Sequence, residues 1–293
     1  MQQREQHRKQ EEGMSIEQES VNLRRKIKIT KGVLIAVSLL FVITMLIIPM
    51  LVLIVYAFKD GFTKYIEAIT DPYTIKALRL TIIATVTAVA INTFFGLFAG
   101  WAVTKFHFRG KQLLLTIIDI PFAVSPVIAG LIFILTFGRI GWAYDFLNAH
   151  NIQIVFAVPG VIIATIFVTF PFISREIIPV LNAQGRDEEE AAALMGASGF
   201  RIFRKITLPH MKWALMYGIV LCSARAMGEF GAVSVLSGHL RGKTNTLPLH
   251  VEIIYNEFKL SAAFAASSIL VVLAVIILIL RNIVEYKAKK GGR

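Results

Sequence analysis

From residue 33 onward, long apolar runs alternate with short polar segments. Six runs stand out, at approximately 33–58, 78–103, 113–137, 154–174, 213–236 and 260–280. Each reaches or exceeds the roughly 20 residues needed to cross a bilayer core. The pattern predicts an all-α integral membrane protein with six transmembrane helices. Residues 1–31 are polar, rich in Gln, Glu, Lys and Arg, and lack apolar periodicity. They read as a polar tail and not as a cleavable signal peptide. The apolar run that follows is too long for such a signal's core, and no small-residue cleavage site follows it. The organisation expected is a tail at 1–31, a first transmembrane helix with its following loop at 32–76, a membrane core at 77–281 and a basic tail at 282–293. No internal repeat is visible, which argues against a fused inverted-repeat transporter.

The basic residues fix an expected orientation. An even number of spans puts both termini on one side. Of the 31 Lys and Arg, 22 then fall on the side of the termini and 8 on the opposite side, counting Arg79 at the very start of the second span with the loop before it, and Arg225 lies inside a span. Loops rich in Lys and Arg stay in the cytoplasm. Both termini and the 175–212 loop are therefore expected to be cytoplasmic, in a multi-pass protein of the bacterial plasma membrane.

Composition sharpens this picture. Hydrophobic residues make up 56% of the chain, and mean hydropathy is +0.66. The net charge of +12 does not imply nucleic acid, because the basic residues flank the apolar runs. Cys222 is the single cysteine, which excludes an intrachain disulfide and any cysteine-cluster metal site. The six histidines show neither HxxxH nor HExxH. No metal site and no catalytic residue is expected.

The most informative polar segment is residues 187–209, DEEEAAALMGASGFRIFRKITLP. Asp187 with Glu190 fits a helix N-cap with an acidic residue three positions on. Ala191, Ala192, Ala193, Leu194 and Met195 are strong helix formers. Gly196 to Gly199 then predicts a turn, since glycine readily takes positive φ. A second short helix is expected through Phe200, Phe203 and Ile206, ending at Leu208-Pro209. The result is a bent helix pair with Phe203 as an apolar knob. Two readings fit: insertion into a groove on a cytoplasmic partner, or an amphipathic helix lying on lipid headgroups.

Polar features inside the spans point to a second region. The third span holds Asp119, Pro121, Ser125 and Pro126. Proline removes a backbone donor and kinks or breaks a helix, and such breaks are tolerated where backbone is buried in protein or lines a cavity. Pro171 and Pro209 add further interruptions, which fit a moving pathway or routine bundle packing, since proline is common in transmembrane helices. In the fifth span, Arg225 and Glu229 are four apart, so they share a helix face and can pair. Gly228 and Gly231 allow close approach of another helix. Ionisable residues within a span are costly and functional by default. They line a pathway or subunit gate, or they form a neutralised pair that holds the bundle together.

The spacing Glu190-Ala191-Ala192, Gly196, Ile206, Leu208-Pro209 resembles the EAA loop of bacterial ABC importer permeases, with every motif position filled. The run ARAMGEFGAVSVLSGHLRG resembles sulfate/thiosulfate importer permeases, and molybdate permeases share its Arg-Ala-x-Gly-Glu-Phe-Gly-Ala core. DIPFAVSPVIAGLIF and IFVTFPFISREIIPV also resemble the sulfate family. The similarity runs from about residue 33 to 281 and is closest to the W-type subunit. The resemblance implies a type I importer permease with a cytoplasmic coupling helix that docks on the ATPase. It implies as partners a second, T-type permease, two copies of a cytoplasmic ABC ATPase and an extracytoplasmic sulfate-binding protein. ATP and Mg would be bound by the ATPase and no cofactor by this chain. Beyond these, membrane lipid is the surrounding partner.

Gly238 to Thr244 resembles a phosphate-binding loop but fails by one residue, because Ser237 stands where the first glycine is needed. The alternatives are a molybdate or tungstate permease and, from another class, an ion-coupled secondary transporter using Asp119 and Glu229. An intramembrane hydrolase lacks a supporting His or GxSxG.

Overall fold

The computed structural model describes Lys28 and residues 30–291. Most of the tail expected at 1–31 lies outside the described residues. Among those described, every regular element is helical and there is no strand. Residues Tyr56–Arg293 form one unit, and the helix before them belongs largely to another, Met1–Val55. Four helices are long and apolar enough to span a membrane, or six if each of two bent pairs counts as one span.

The first helix, α1, runs Thr30–Ala57 and contains a π-helical turn at Ile43–Ile47. Pro49 follows two residues later. A proline ring clashes with the carbonyl four residues back, and widening the preceding turn moves that carbonyl aside. The Ile48 N–H accordingly reaches Ile43 O, five residues back. The same device recurs at Phe203–Thr207 ahead of Pro209, where the Leu208 N–H reaches Phe203 O. Pro209 therefore does not end the second helix of the 187–209 segment. The helix continues from Gly199 to Met227.

Within the larger unit, α2 (Phe62–Thr70) leads into α3 (Pro72–Lys105). Asp71 caps α3 by accepting from the N–H groups of Tyr73 and Thr74 at 2.8 and 3.2 Å, and Pro72 supplies the preset first dihedral. At 34 residues, α3 is about 51 Å long at 1.5 Å per residue. The third span is not one helix. It comprises α4 (Lys111–Ala123) and α5 (Pro126–Phe137), at 109° to one another. Val124 and Ser125 between them are extended, as the residue before a proline tends to be. Pro121 lies inside α4 and is buried, so the break belongs to Pro126.

After the short α6 (Tyr144–Ala149) come α7 (Val158–Thr169) and α8 (Pro171–Gln184). Phe170 keeps helical dihedrals despite the following Pro171, so Val158–Gln184 acts as one span. This extends the fourth span beyond its expected end at 174. The fifth is likewise two pieces. After α9 (Asp187–Leu194), α10 is Gly199–Met227 and α11 is Gly231–Ser237, bent by 51°. Two helices complete the chain, α12 (Leu247–Asn256) and α13 (Leu260–Gly291). The expected basic tail is thus helical through Gly291.

Small residues set the packing. Gly96 and Gly100 on α3 lie one turn apart against Ile173 and Ile177 on α8. A Cβ at Gly96 would sit 3.2 Å from Ile173 Cβ, and one at Gly100 would sit 3.3 Å from Ile177 Cγ2. This is small-xxx-small packing, which lets helix backbones approach in lipid. The adjoining core joins Ile173, Ile177 and Leu181 of α8 to Met211 and Cys222 of α10. A second core joins Ala84, Val161, Ala164 and Leu249 to Ala232, Val233 and Leu236 of α11. Asn92 ties α3 to the fourth span, donating to Thr169 Oγ1 at 2.8 Å and to Ile166 O at 3.1 Å.

Candidate functional site

The 187–209 segment folds as an elbow. Helix α9 opens with four acids, Asp187 to Glu190, at the positive end of its dipole. Asp187 is the first helical residue; Arg186 occupies the cap and makes no side-chain cap bond. The C-terminus of α9 closes with a Schellman pair. Gly196 N–H donates to Ala193 O at 2.9 Å and Ala197 N–H to Ala192 O at 3.0 Å. That closure needs a left-handed residue after the cap, and Gly196 supplies it at φ +82°. Ala192 is buried, whereas Glu190 and Ala191 are exposed.

Phe203 does not project as a knob. Its ring packs 4.8 Å from Trp101 on α3 and joins the core around Ile173 and Met211. Ile206 and Leu208 are half-buried and Pro209 is exposed. The apolar groups that do project are Leu194, Met195 and Phe200, which are 91%, 82% and 74% exposed. All three follow from the elbow's geometry, which helix periodicity over the whole segment does not reveal.

The broken spans form the second region. Their second halves, α5 and α11, pack on each other. A Cβ at Gly231 would fall 2.8 Å from Pro126 Cβ, and one at Gly130 would fall 2.7 Å from Ala232 O. Helix α10 ends at Met227 and exposed Gly228 lies in the break, so Arg225 and Glu229 do not share a helical face. They pair all the same, Arg225 to Glu229 Oε2 at 2.5 Å. The other oxygen, Oε1, accepts from Ala232 N–H at 2.9 Å. The carboxylate is therefore held between a guanidinium and the N-terminal turn of α11.

Asp119 is not a lone acid. Its carboxylate takes a bond from Arg175 Nε at 2.9 Å, and the guanidinium lies 4.2 Å over the Phe122 ring. Arg175 is invisible as a partner in the sequence because it falls where a loop was expected. Ser125 is exposed and makes no cap bond to α5. The constellations are thus Arg225 with Glu229 beside Gly231 and Pro126, and Asp119 with Arg175.

The Gly238–Thr244 lookalike is a closed turn. Thr244 Oγ1 donates to Ser237 O at 2.7 Å and accepts from Leu240 N–H at 3.2 Å, so its hydroxyl is engaged internally. Near this turn a cavity of about 690 Å³ is lined by Lys64, Asp71, Arg241, His250 and Glu257 among others. Buried His250 sits 3.0 Å from Thr74 Oγ1. The Thr74 hydroxyl donates its proton to Ala68 O, so His250 Nε2 must carry the hydrogen of this contact. Burial, and then the charge of Arg241, push the His250 pKa below the ordinary value.

The family model described as "Binding-protein-dependent transport system inner membrane component" matches residues 92–290. The chain belongs to this family. The matched region begins on α3 and includes both broken spans and the elbow. Among relatives, the sulfate transport system permease protein CysW of Escherichia coli K12 is 45% identical over 263 residues, 90% of each chain. The CysW protein of Synechocystis is 44% identical over 92% of this chain and 97% of its own. The CysT permease of Salmonella typhimurium is 34% identical over 87% of this chain and 92% of its own. The fold is shared with a chain of the bacterial alginate ABC transporter, at TM-score 0.73 and 16% identity, covering 91% of this chain and 96% of that one.

Proposed function

We propose that this chain is the W-type permease subunit of an ATP-driven importer for sulfate, with thiosulfate as a second substrate. The observation that carries the reading is 45% identity to a CysW sulfate permease across 90% of both chains. It exceeds the 34% identity to CysT, which supports the W type and a T-type partner. It also favours sulfate over molybdate.

In this reading the elbow faces the cytoplasm and both termini lie on that side. Exposed Leu194, Met195 and Phe200, with Glu190 at the start of α9, dock on the partner ATPase. ATP and Mg act on that partner, and an extracytoplasmic binding protein delivers the anion. Arg225, anchored by the buried Glu229 carboxylate, lines the path or its subunit seam beside the α5–α11 contact. The experiment is genetic. Removing this chain should abolish growth on sulfate as sole sulfur source and leave growth on cysteine intact. Undiminished growth on sulfate counts against the assignment.

A further inference from the structure

Beneath the elbow lies a polar node outside the motif that defines it. Lys105 is the last residue of α3, and its side chain is only 5% exposed. A buried ammonium needs partners for its hydrogens. Lys105 Nζ donates to Gly185 O at 2.5 Å and pairs with Glu189 Oε1 at 3.1 Å. The same carboxylate oxygen accepts from Thr207 Oγ1 at 2.6 Å, and Thr207 is fully buried. Beside it, Arg186 donates to Thr104 O at 3.3 Å, which satisfies a carbonyl at the end of α3. One carboxylate thus joins three elements: the end of α3, the start of α9 and the π turn of α10. Phe203 against Trp101 is the apolar half of the same junction.

The neighbouring acids divide the work. Glu190 is exposed and available to a partner, whereas Glu189 turns inward. We infer that Lys105, Glu189 and Thr207 are positioning residues that lock the elbow to α3 and α10, so that movement of the elbow is delivered to both helices together. The inference rests on the coupling role given to the elbow under the proposed function. Helix α3 is suited to receive that movement, because it runs unbroken from this node to Thr74 at its far end.

The test uses the complete complex in proteoliposomes, with radiolabelled sulfate and ATP, and reads sulfate moved per ATP hydrolysed. Lys105→Met and Glu189→Gln should each lower that ratio about ten-fold, within the range by which mutations along a coupled network act. Thr207→Val should lower it less, at wild-type abundance, and it decides the matter if the charge variants fail to accumulate. Lys105→Arg should retain the wild-type ratio. Lys105→Glu combined with Glu189→Lys should recover part of what Lys105→Glu loses. An unchanged ratio in all three disruptive variants overturns the inference. So does a parallel fall of uptake and hydrolysis at constant ratio, which marks a merely structural contact. A wild-type complex that moves no sulfate overturns the functional reading as well, whereas normal wild-type transport with unaffected variants overturns the node alone.

Discussion

Arg225 and Glu229 meet at 2.5 Å across the end of α10, the arginine one-third exposed and the glutamate almost sealed. The exposed partner can meet a neighbouring subunit or an anion, while the sealed one anchors it. Removing the arginine strands a buried carboxylate, which costs on the order of 3–5 kcal/mol. Arg225→Ala should therefore lower thermal stability in detergent and abolish transport. Replacing both partners, as Arg225→Met with Glu229→Leu, should restore much of the stability. If transport also returns, the pair is packing only; if it does not, the arginine belongs to the path or the seam.

Gly196 carries the left-handed turn of the elbow at φ +82°, with no atom within 4 Å of an added Cβ. The penalty of a larger residue is therefore in the backbone, about 1–2 kcal/mol for an L-residue held left-handed. Gly196→Asp should insert normally yet lose transport, and Gly196→Asn should do better, since asparagine tolerates this conformation. Glu190→Lys should also insert and fail to transport. Membrane abundance and uptake measured side by side check this; full uptake in both Gly196→Asp and Glu190→Lys removes the coupling role from the elbow.

The α3–α8 crossing is set by Gly96 and Gly100. Gly100→Leu would drive a side chain into Ile177, where a Cβ alone already sits at 3.3 Å. Overpacking of this kind costs about 1–3 kcal/mol. The melting temperature of the purified subunit pair should fall, and an unchanged one means that the crossing is looser than described.

His250 gives a pH dependence with a definite sign. Its folded pKa lies below the ordinary value, which is about 6.5 in the unfolded chain. Between the two, the unfolded state binds more protons, so stability falls as pH falls through that window. Above about 6.5 the group is neutral in both states and contributes no slope. Thermal unfolding at stepped pH should show this loss in the wild type and a smaller one in His250→Gln. Equal slopes in both assign the pH dependence to other groups.

Much of this was legible in the sequence. Apolar run lengths gave the spans and Gly196 gave the elbow, while Pro121 and Pro126 together pointed to an interruption of the third span that the fold places at Pro126 alone. What stayed hidden depends on tertiary contact. Phe203 reads as exposed on a polar segment, but Trp101 lies about 100 residues earlier and covers it. Pro209 reads as a helix stop, but a widened π turn absorbs its ring and lets the helix continue. Glu189 is one acid among four, and only the fold turns it toward Lys105. Arg175 falls in an expected loop because helix-compatible polar residues after Pro171 look the same whether or not the helix continues.

If this chain moves sulfate, cells that lack it should not take sulfate up. Radiolabelled sulfate would be supplied with unlabelled thiosulfate or molybdate as competitor, with and without the restored wild-type chain. The expected result is uptake only when the chain is restored, competed by thiosulfate and not by molybdate. Undiminished sulfate uptake without the chain, together with loss of molybdate uptake, contradicts the substrate while leaving the permease fold in place.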